Sequence, residues 1–305
     1  MKAKLIFNPA AGNPTESAVQ LVELLRQLQS QEIETEVVLV QPEMDLSDIA
    51  RKAARARAKL VIVSGGDGTI ENIACGLVGS ATTLGIIPTG TRNNLARSLN
   101  IPTNSIADAV ALLRKGRRLK IDVGHVRHRK ASRCFLEASA IGLASALYPS
   151  ADDLQHGDLG KMTEFISTFV SAVPSEIRLR LNHRRKDIVT HAHMVIVANM
   201  PMMGGNFQIA PDVLFDDRQL DVFVYSDLSK RDLIGHAMHS ITDAPDARIQ
   251  RFRAKKITIT TKPVMPVMAD GVFIGNGSVQ VTLYRHRLRV MAGPAGTTAV
   301  VEAKA

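Results

Sequence analysis

The chain has no tryptophan and only 4% aromatic residues. Stacking platforms for single-stranded nucleic acid interleave aromatic with basic side chains, and the Arg-rich stretches here lack them, so a nucleic-acid partner is not expected. Cysteine is almost absent too. Cys75 and Cys134 are too few and too widely spaced for a disulfide framework or a zinc site, which points to a reducing, cytoplasmic setting. No stretch approaches the roughly 18 apolar residues that a membrane span requires. The opening run, Met1 to Pro9, breaks its apolar pattern too early for a signal peptide. Membrane contact is therefore expected to be peripheral, at the inner face. Acidic residues are the other shortage: 29 Asp and Glu against 38 Lys and Arg leave a formal charge of +9. Such a surface favours a polyanionic partner, either an anionic membrane or phosphorylated small molecules.

What is present is a glycine-rich loop holding an acid, Gly65-Gly66-Asp67-Gly68-Thr69. The apolar stretch Leu60 to Ser64 before it reads as a buried strand, and Ile70 to Ala74 after it as the start of a helix. At such a junction the unpaired N–H groups of the first helical turn attract an anion, and glycines let a phosphate approach the backbone. An acid in that cradle would repel phosphate unless a cation intervenes. Asp67 therefore implies bound Mg²⁺, or a proton acceptor, beside a nucleotide phosphate.

The first part of the chain alternates strands with helices: strand Lys4–Phe7, helix Ser17–Leu28, strand Glu34–Val40, helix Leu46–Ala58, the strand and loop carrying Asp67, and strand Thr83–Ile87. The loop Pro88 to Asn94 and a helix Leu95–Leu99 follow. This pattern predicts a parallel sheet with helices on both faces, whose ligands bind beyond the carboxyl ends of the strands. From about residue 121 short alternating or β-branched segments dominate, the signature of an antiparallel β-rich domain. These include Ile121–Val126, Cys134–Ala138, Ile177–Leu181, His193–Ala198, Leu220–Tyr225, Lys256–Thr261, Val279–Tyr284 and Leu288–Ala292. A helix is predicted over Lys161–Val173, where Met162, Phe165, Ile166, Phe169, Val170 and Val173 share one face. The expected division is a nucleotide-binding domain over 1–122, a β-rich lipid-substrate domain over 123–292 and a poorly ordered tail over 293–305.

Taken in order, Asn8-Pro9, Gly66-Asp67-Gly68-Thr69 and Pro88-Thr89-Gly90-Thr91-Arg92-Asn93 resemble the diacylglycerol kinase catalytic-domain family, which includes soluble bacterial lipid kinases and the sphingosine and ceramide kinases. Gly160-Lys161, Asn199, Gly204-Gly205, Ala210-Pro211, the turn Leu214 to Val222 and Asp270-Gly271 extend the likeness through most of the chain. The resemblance implies ATP and Mg²⁺ as cofactors, an α/β domain followed by an antiparallel β domain, and an active site in the cleft between them. It implies that Asn8, Gly66, Asp67, Gly68, Thr69, Thr91 and Asn93 contact ATP. It also implies that Asp122 joins Asp67 in a Mg²⁺ and water network. Asp217 would ligate a structural Mg²⁺, with backbone carbonyls from Leu214 and Gln219.

The chain departs from the family pattern at several positions. Glu71-Asn72 stands where the family has Asn-Glu, Asn94 where it has Asp, and Gly142-Leu143-Ala144 lacks an acid. Bacterial members close with Asp-Gly-Glu, the Glu being the proton acceptor, whereas this chain reads Asp270-Gly271-Val272. Valine accepts no proton. Asp67 or Asp270 is then left as the catalytic acid-base candidate, and loss of a general base is typically worth about 10² to 10⁴ in rate. The expected function is an ATP- and Mg²⁺-dependent lipid kinase acting on a diacylglycerol-like hydroxyl at a membrane surface, with homodimerisation among its associations. The alternatives are a catalytically impaired nucleotide- and lipid-binding regulator of the same fold, and an NAD kinase.

Overall fold

A computed structural model describes residues 1–129, 131–146, 173–182, 186–203, 207–226 and 248–294. The chain divides into two compact units, one formed by Met1–Ile121 with the segment from Arg287 onward, the other by Asp122–His286.

The first unit contains β1 (Lys2–Phe7), α1 (Ser17–Ser30), β2 (Glu34–Leu39), α2 (Leu46–Arg55), β3 (Leu60–Gly65), α3 (Asp67–Leu77), β4 (Thr83–Pro88), α4 (Asn94–Ser98) and α5 (Ile106–Lys115). Its strands lie in the order β2-β1-β3-β4, all parallel. The two central strands β3 and β4 are buried along their whole length, as continuous apolar runs covered on both faces should be. α1 packs with α5, and α2 with α3. Two of these helices carry side-chain caps: Asp45 accepts from the Asp48 N–H at 2.9 Å and Ser105 from the Asp108 N–H at 3.2 Å. The sequence reading did not place α5, although Ser105, Asp108 and the buried Ala109, Val110 and Leu113 mark it. Helix α1 carries Val or Leu at six positions, Val19, Leu21, Val22, Leu24, Leu25 and Leu28. Only Leu24 and Leu28 are fully buried, while Val19 and Val22 are 72% and 68% exposed, because the apolar stripe is wider than the surface it packs on.

The second unit begins within β5 (Arg117–His128) and continues through β6 (Ala131–Phe135), β7 (Ala138–Gly142), β8 (Ser175–Leu181), β9 (Ile188–Ala192) and β10 (Met194–Ala198). Then come the short pair β11 (Met202–Met203) and β12 (Phe207–Gln208), β13 (Leu220–Tyr225), β14 (Ile249–Ala254), β15 (Lys256–Lys262), β16 (Pro266–Ala269), β17 (Val272–Asn276) and β18 (Val279–Ala292). A six-stranded antiparallel sheet runs β14-β13-β10-β7-β16-β17, and β18, β15, β8 and β9 form a second antiparallel run. One apolar core joins them, containing Val195, Val197, Val222 and Val224 from the first and Ile177, Leu179, Ile257, Ile259, Val279 and Val281 from the second. The alternate residues Met194, Ile196, Ala198, Phe223 and Tyr225 fill a second core on the other face. β10 and β13 are thus buried on both sides. Each such Val, Ile or Leu contributes roughly 1.5–3 kcal/mol.

Several boundaries differ from the sequence reading. The division falls at Asp122 rather than after it, and the last strand does not belong wholly to the second unit. β18 is one strand rather than two, and Arg289 and Val290 pair in parallel with Thr83 and Leu84 of β4, completing the first unit's sheet. The predicted strand Cys134–Ala138 is two strands broken at Leu136 and Glu137, for a reason given by Asp270 below. Gly293 and Pro294 of the expected tail are tied down, the Gly293 N–H donating to the Leu99 carbonyl and the Asn100 amide to the Pro294 carbonyl. The predicted helix Lys161–Val173 lies outside the described residues except for Val173, as do Gly160 and Gly204-Gly205.

Candidate active site

In the first unit, the loops after β1, β3 and β4 meet, as the parallel order of these strands requires. Their contact is made by backbone. A Cβ on Gly90 would collide with the Gly66 Cα, and one on Gly12, which sits at φ +71, would collide with the Thr89 carbonyl. Polar links reinforce it: the Asn8 N–H donates to the Ser64 carbonyl at 2.9 Å, its Nδ2 to Thr69 Oγ1 at 2.8 Å, and the Thr89 N–H to the Gly65 carbonyl at 3.1 Å. Asn93 holds the third loop from within. Its left-handed backbone (φ 54) lets Oδ1 accept from the Gly90 N–H while Nδ2 donates to the Gly90 carbonyl.

A pocket of about 430 Å³ opens on these loops, within the usual range for a small-molecule site. Asn8, Gly66, Asp67, Gly68, Thr69 and Thr91 line it, six of the seven residues expected to contact ATP. Asn93 does not line it, because both ends of its amide serve Gly90. Ala11, Gly12, Leu46, Asn72 and Gly90 also line the pocket and were not foreseen as site residues. Gly12 and Gly90 carried a legible signal, a glycine inside each special loop. Leu46, at the start of α2, carried none.

Asp67 occupies the first position of α3 after Gly66. Burial pushes its carboxyl above the usual carboxylate range, while the N–H groups of Leu95, Asn93 and Asn94 and the charge of Arg92 pull it back down. Its Oδ1 is buried without a hydrogen-bond partner. A residue that lines a pocket and keeps one buried carboxylate oxygen without a hydrogen-bond partner suits a hard cation or a proton. Mg²⁺ held largely by phosphate oxygens and water needs few protein ligands, so a single carboxylate fits that chemistry.

The remaining candidates lie in the second unit, where their oxygens have different duties. Asp122 is fully buried. Its Oδ2 accepts from the Arg218 N–H at 2.7 Å and its Oδ1 from the His286 N–H at 2.6 Å, while its own N–H donates to Phe215. Asp270 is also buried. It accepts from the N–H groups of Leu136 (2.6 Å), Glu137 (3.0 Å) and Ala138 (3.1 Å), which explains the break between β6 and β7. Burial nonetheless pushes the Asp270 carboxyl up to about 6. Asn199 supports the same turn, its amide donating to the carbonyls of Leu136 and Asp122. Val272 is 40% exposed at the start of β17.

At the turn 214–219, Asp217 Oδ1 accepts from the Gln219 N–H at 2.9 Å, and its Oδ2 is buried without a hydrogen-bond partner. Burial raises the Asp217 carboxyl and the negative charges of Asp221 and Asp122 raise it further, while the Gln219 N–H and Arg253, whose Nη1 lies 3.9 Å from Oδ2, pull it back down. Among the described residues no group of three or more His, Cys, Asp or Glu is arranged to hold a metal. A hard cation here would therefore draw its other oxygens from backbone carbonyls and water. Sequence reasoning missed Asp221, which is fully buried and accepts from Arg251 Nε at 2.7 Å and Arg253 Nε at 3.1 Å. Nothing in the strand pattern Leu220 to Tyr225 marks it.

Residues 2–126 match the diacylglycerol kinase catalytic domain, and residues 142–292 match the YegS C-terminal NAD kinase beta sandwich-like domain. The chain is 26% identical over 293 residues to diacylglycerol kinase of Bacillus subtilis, covering 93% of this chain and 94% of that protein. It is 23% identical over 287 residues to diacylglycerol kinase of Staphylococcus carnosus, covering 90% and 89% of the two chains. The crystal structure of a diacylglycerol kinase from Bacillus anthracis shares its fold, with a TM-score of 0.76, 24% identity and coverage of 97% and 98%. With both domain types present in order over nearly its whole length, the chain belongs to the diacylglycerol kinase catalytic-domain family.

Proposed function

We propose that the protein is an ATP- and Mg²⁺-dependent lipid kinase that transfers the γ-phosphoryl group to a hydroxyl of a diacylglycerol-like lipid at a membrane surface. Family membership supports a lipid kinase. The observation that carries the finer reading is the open Oδ1 of Asp67 on the wall of a glycine-built pocket. In this reading the backbone N–H groups of the α3 start receive phosphate oxygens, and the Asn8 amide and Thr91 hydroxyl orient them. When bound, Mg²⁺ would neutralise phosphate charge, and Asp67 is the residue that would hold it. Phosphoryl transfer depends chiefly on such positioning and electrostatics.

A second reading, a regulator that binds nucleotide and lipid but turns over poorly, is favoured by Val272 and Asn94. Labelled ATP offered with a panel of lipids and with NAD tests both. Labelled lipid is expected; nucleotide binding without product promotes the regulator, and labelled NADP would replace both readings with an NAD kinase. Val272→Glu sharpens the distinction. If only the base is missing, turnover rises about tenfold or more, the gain being largest where the new carboxylate is ionised.

A further inference from the structure

Acidic residues are absent from three stretches of the second unit, 123–136, 247–269 and 271–286. The fold gathers parts of all three at one end. The His128 ring lies where a Cβ on Gly275 would come within 2.6 Å, and its Nδ1 is 2.9 Å from the Ser278 carbonyl. Beside Ser278, the Gly277 N–H donates to the Met265 carbonyl at 2.8 Å, and a Cβ on Gly277 would touch Val264 Cγ1 at 3.5 Å. The turn after β5, the segment before β16 and the turn after β17 therefore adjoin. Arg127, Arg129 and Lys262 are exposed there. Arg127 donates to the neutral Gln280 side chain, whereas Arg178, Arg180, Arg251 and Arg253 elsewhere in the unit each face a carboxylate.

Two large apolar side chains accompany these charges. β17 ends the six-stranded sheet, so Phe273 lies along that border, 59% exposed, and Val264 lies at the end of the same hairpin, 68% exposed. We propose that this border, with Val264 and Phe273 as apolar contacts and Arg127, Arg129 and Lys262 as phosphate contacts, docks the protein on an anionic lipid bilayer. The combination of exposed apolar groups with cations that face no carboxylate among the described residues matches the headgroup and acyl boundary of such a surface. A second copy would bring like charges together. The inference rests on the lipid-kinase reading, since it supplies the surface on which that substrate resides.

The test is cosedimentation with vesicles of equal parts phosphatidylglycerol and phosphatidylcholine, using the full chain and two paired variants shown to be folded by circular dichroism. Arg129→Gln with Lys262→Gln should lower partitioning on the order of 25-fold at low salt, since each cation near an anionic surface is worth about fivefold, and by less at high salt. Val264→Ser with Phe273→Ser should lower it at both salt concentrations. Turnover of a short-chain, water-soluble diacylglycerol separates this inference from the kinase reading. Unchanged soluble-substrate turnover with lost vesicle binding supports docking. Vesicle binding by both pairs equal to the wild type overturns it, as does a wild type that does not sediment, whatever the turnover. Loss of binding in both pairs without turnover on any lipid leaves docking standing and removes the kinase reading. Binding to oligouridine or self-association, lost in both pairs without vesicle binding, reassigns the surface.

Discussion

Asp67 in the first unit and Asp270 in the second are both acids beside glycines, yet the fold uses them differently. Asp67 keeps one oxygen open on a pocket wall, whereas both oxygens of Asp270 bind the N–H groups of Leu136, Glu137 and Ala138. The loops around Asp67 line a pocket and leave one of its oxygens without a partner. Those around Asp270 and Asp122 close their hydrogen bonds internally. Residue type and motif therefore do not separate a group available for chemistry from one that fixes a turn; hydrogen-bond accounting does.

The largest effect should come from Asp67→Asn, which removes the charge on the open oxygen. Kinase turnover is expected to fall by about 10² to 10³, with the circular dichroism spectrum unchanged. Near wild-type turnover in a folded variant would erase the contrast.

Asp270 should announce itself through pH. Its folded carboxyl titrates near 6 against an ordinary value of 3.8, so the folded state binds the extra proton between these values. That contribution is present below pH ~4 and is lost as pH rises through ~6, by up to about 3 kcal/mol. At pH 4, where the folded side chain is the protonated acid, Asp270→Asn replaces a hydroxyl oxygen that can still accept from a backbone N–H by an amide NH₂ that cannot, which costs about 1–3 kcal/mol. The difference from wild type should shrink by pH 7. Urea denaturation across this range checks it, and a constant difference would show that Asp270 does not titrate with folding.

Gly90→Ala tests whether the pocket depends on backbone contact. The added Cβ meets the Gly66 backbone, and overpacking of this kind typically costs about 1–3 kcal/mol. Thermal melting and nucleotide affinity should fall together; affinity unchanged at lowered stability would separate the loops from the site.

The smallest effect is expected at Asp217. A Mg²⁺ bound only by the folded state at tenfold its dissociation constant adds about 1.4 kcal/mol. Asp217→Ala should abolish the Mg²⁺-dependent part of the melting shift, and an unchanged shift would place the cation elsewhere.

Much of this was legible before any fold was known. Glycines that permit close approach, apolar runs that demand burial and the alternation of strand with helix are local properties, and they located the three loops and the parallel character of the first sheet, though not its strand order. The first core-facing runs, Leu60 to Ser64 and Thr83 to Ile87, left little choice of environment. Helix α5, the last of the first unit, was equally marked by its cap and went unread.

What the sequence by itself determined is the fold class, the family and most of the loop residues that line the glycine-built pocket, because these follow from side-chain volume, periodicity and glycine placement along short segments. Only the tertiary structure decided which oxygens stay open. The partner of Asp122 is the N–H of His286, 164 residues away, and that of Asp270 is the N–H of Leu136, 134 away. Likewise β18 leaves one unit for the other at Arg287, and Leu46 reaches a pocket made by distant loops. Backbone donors carry no sequence signature, so where a buried acid finds its hydrogen bonds is fixed only when remote strands have packed.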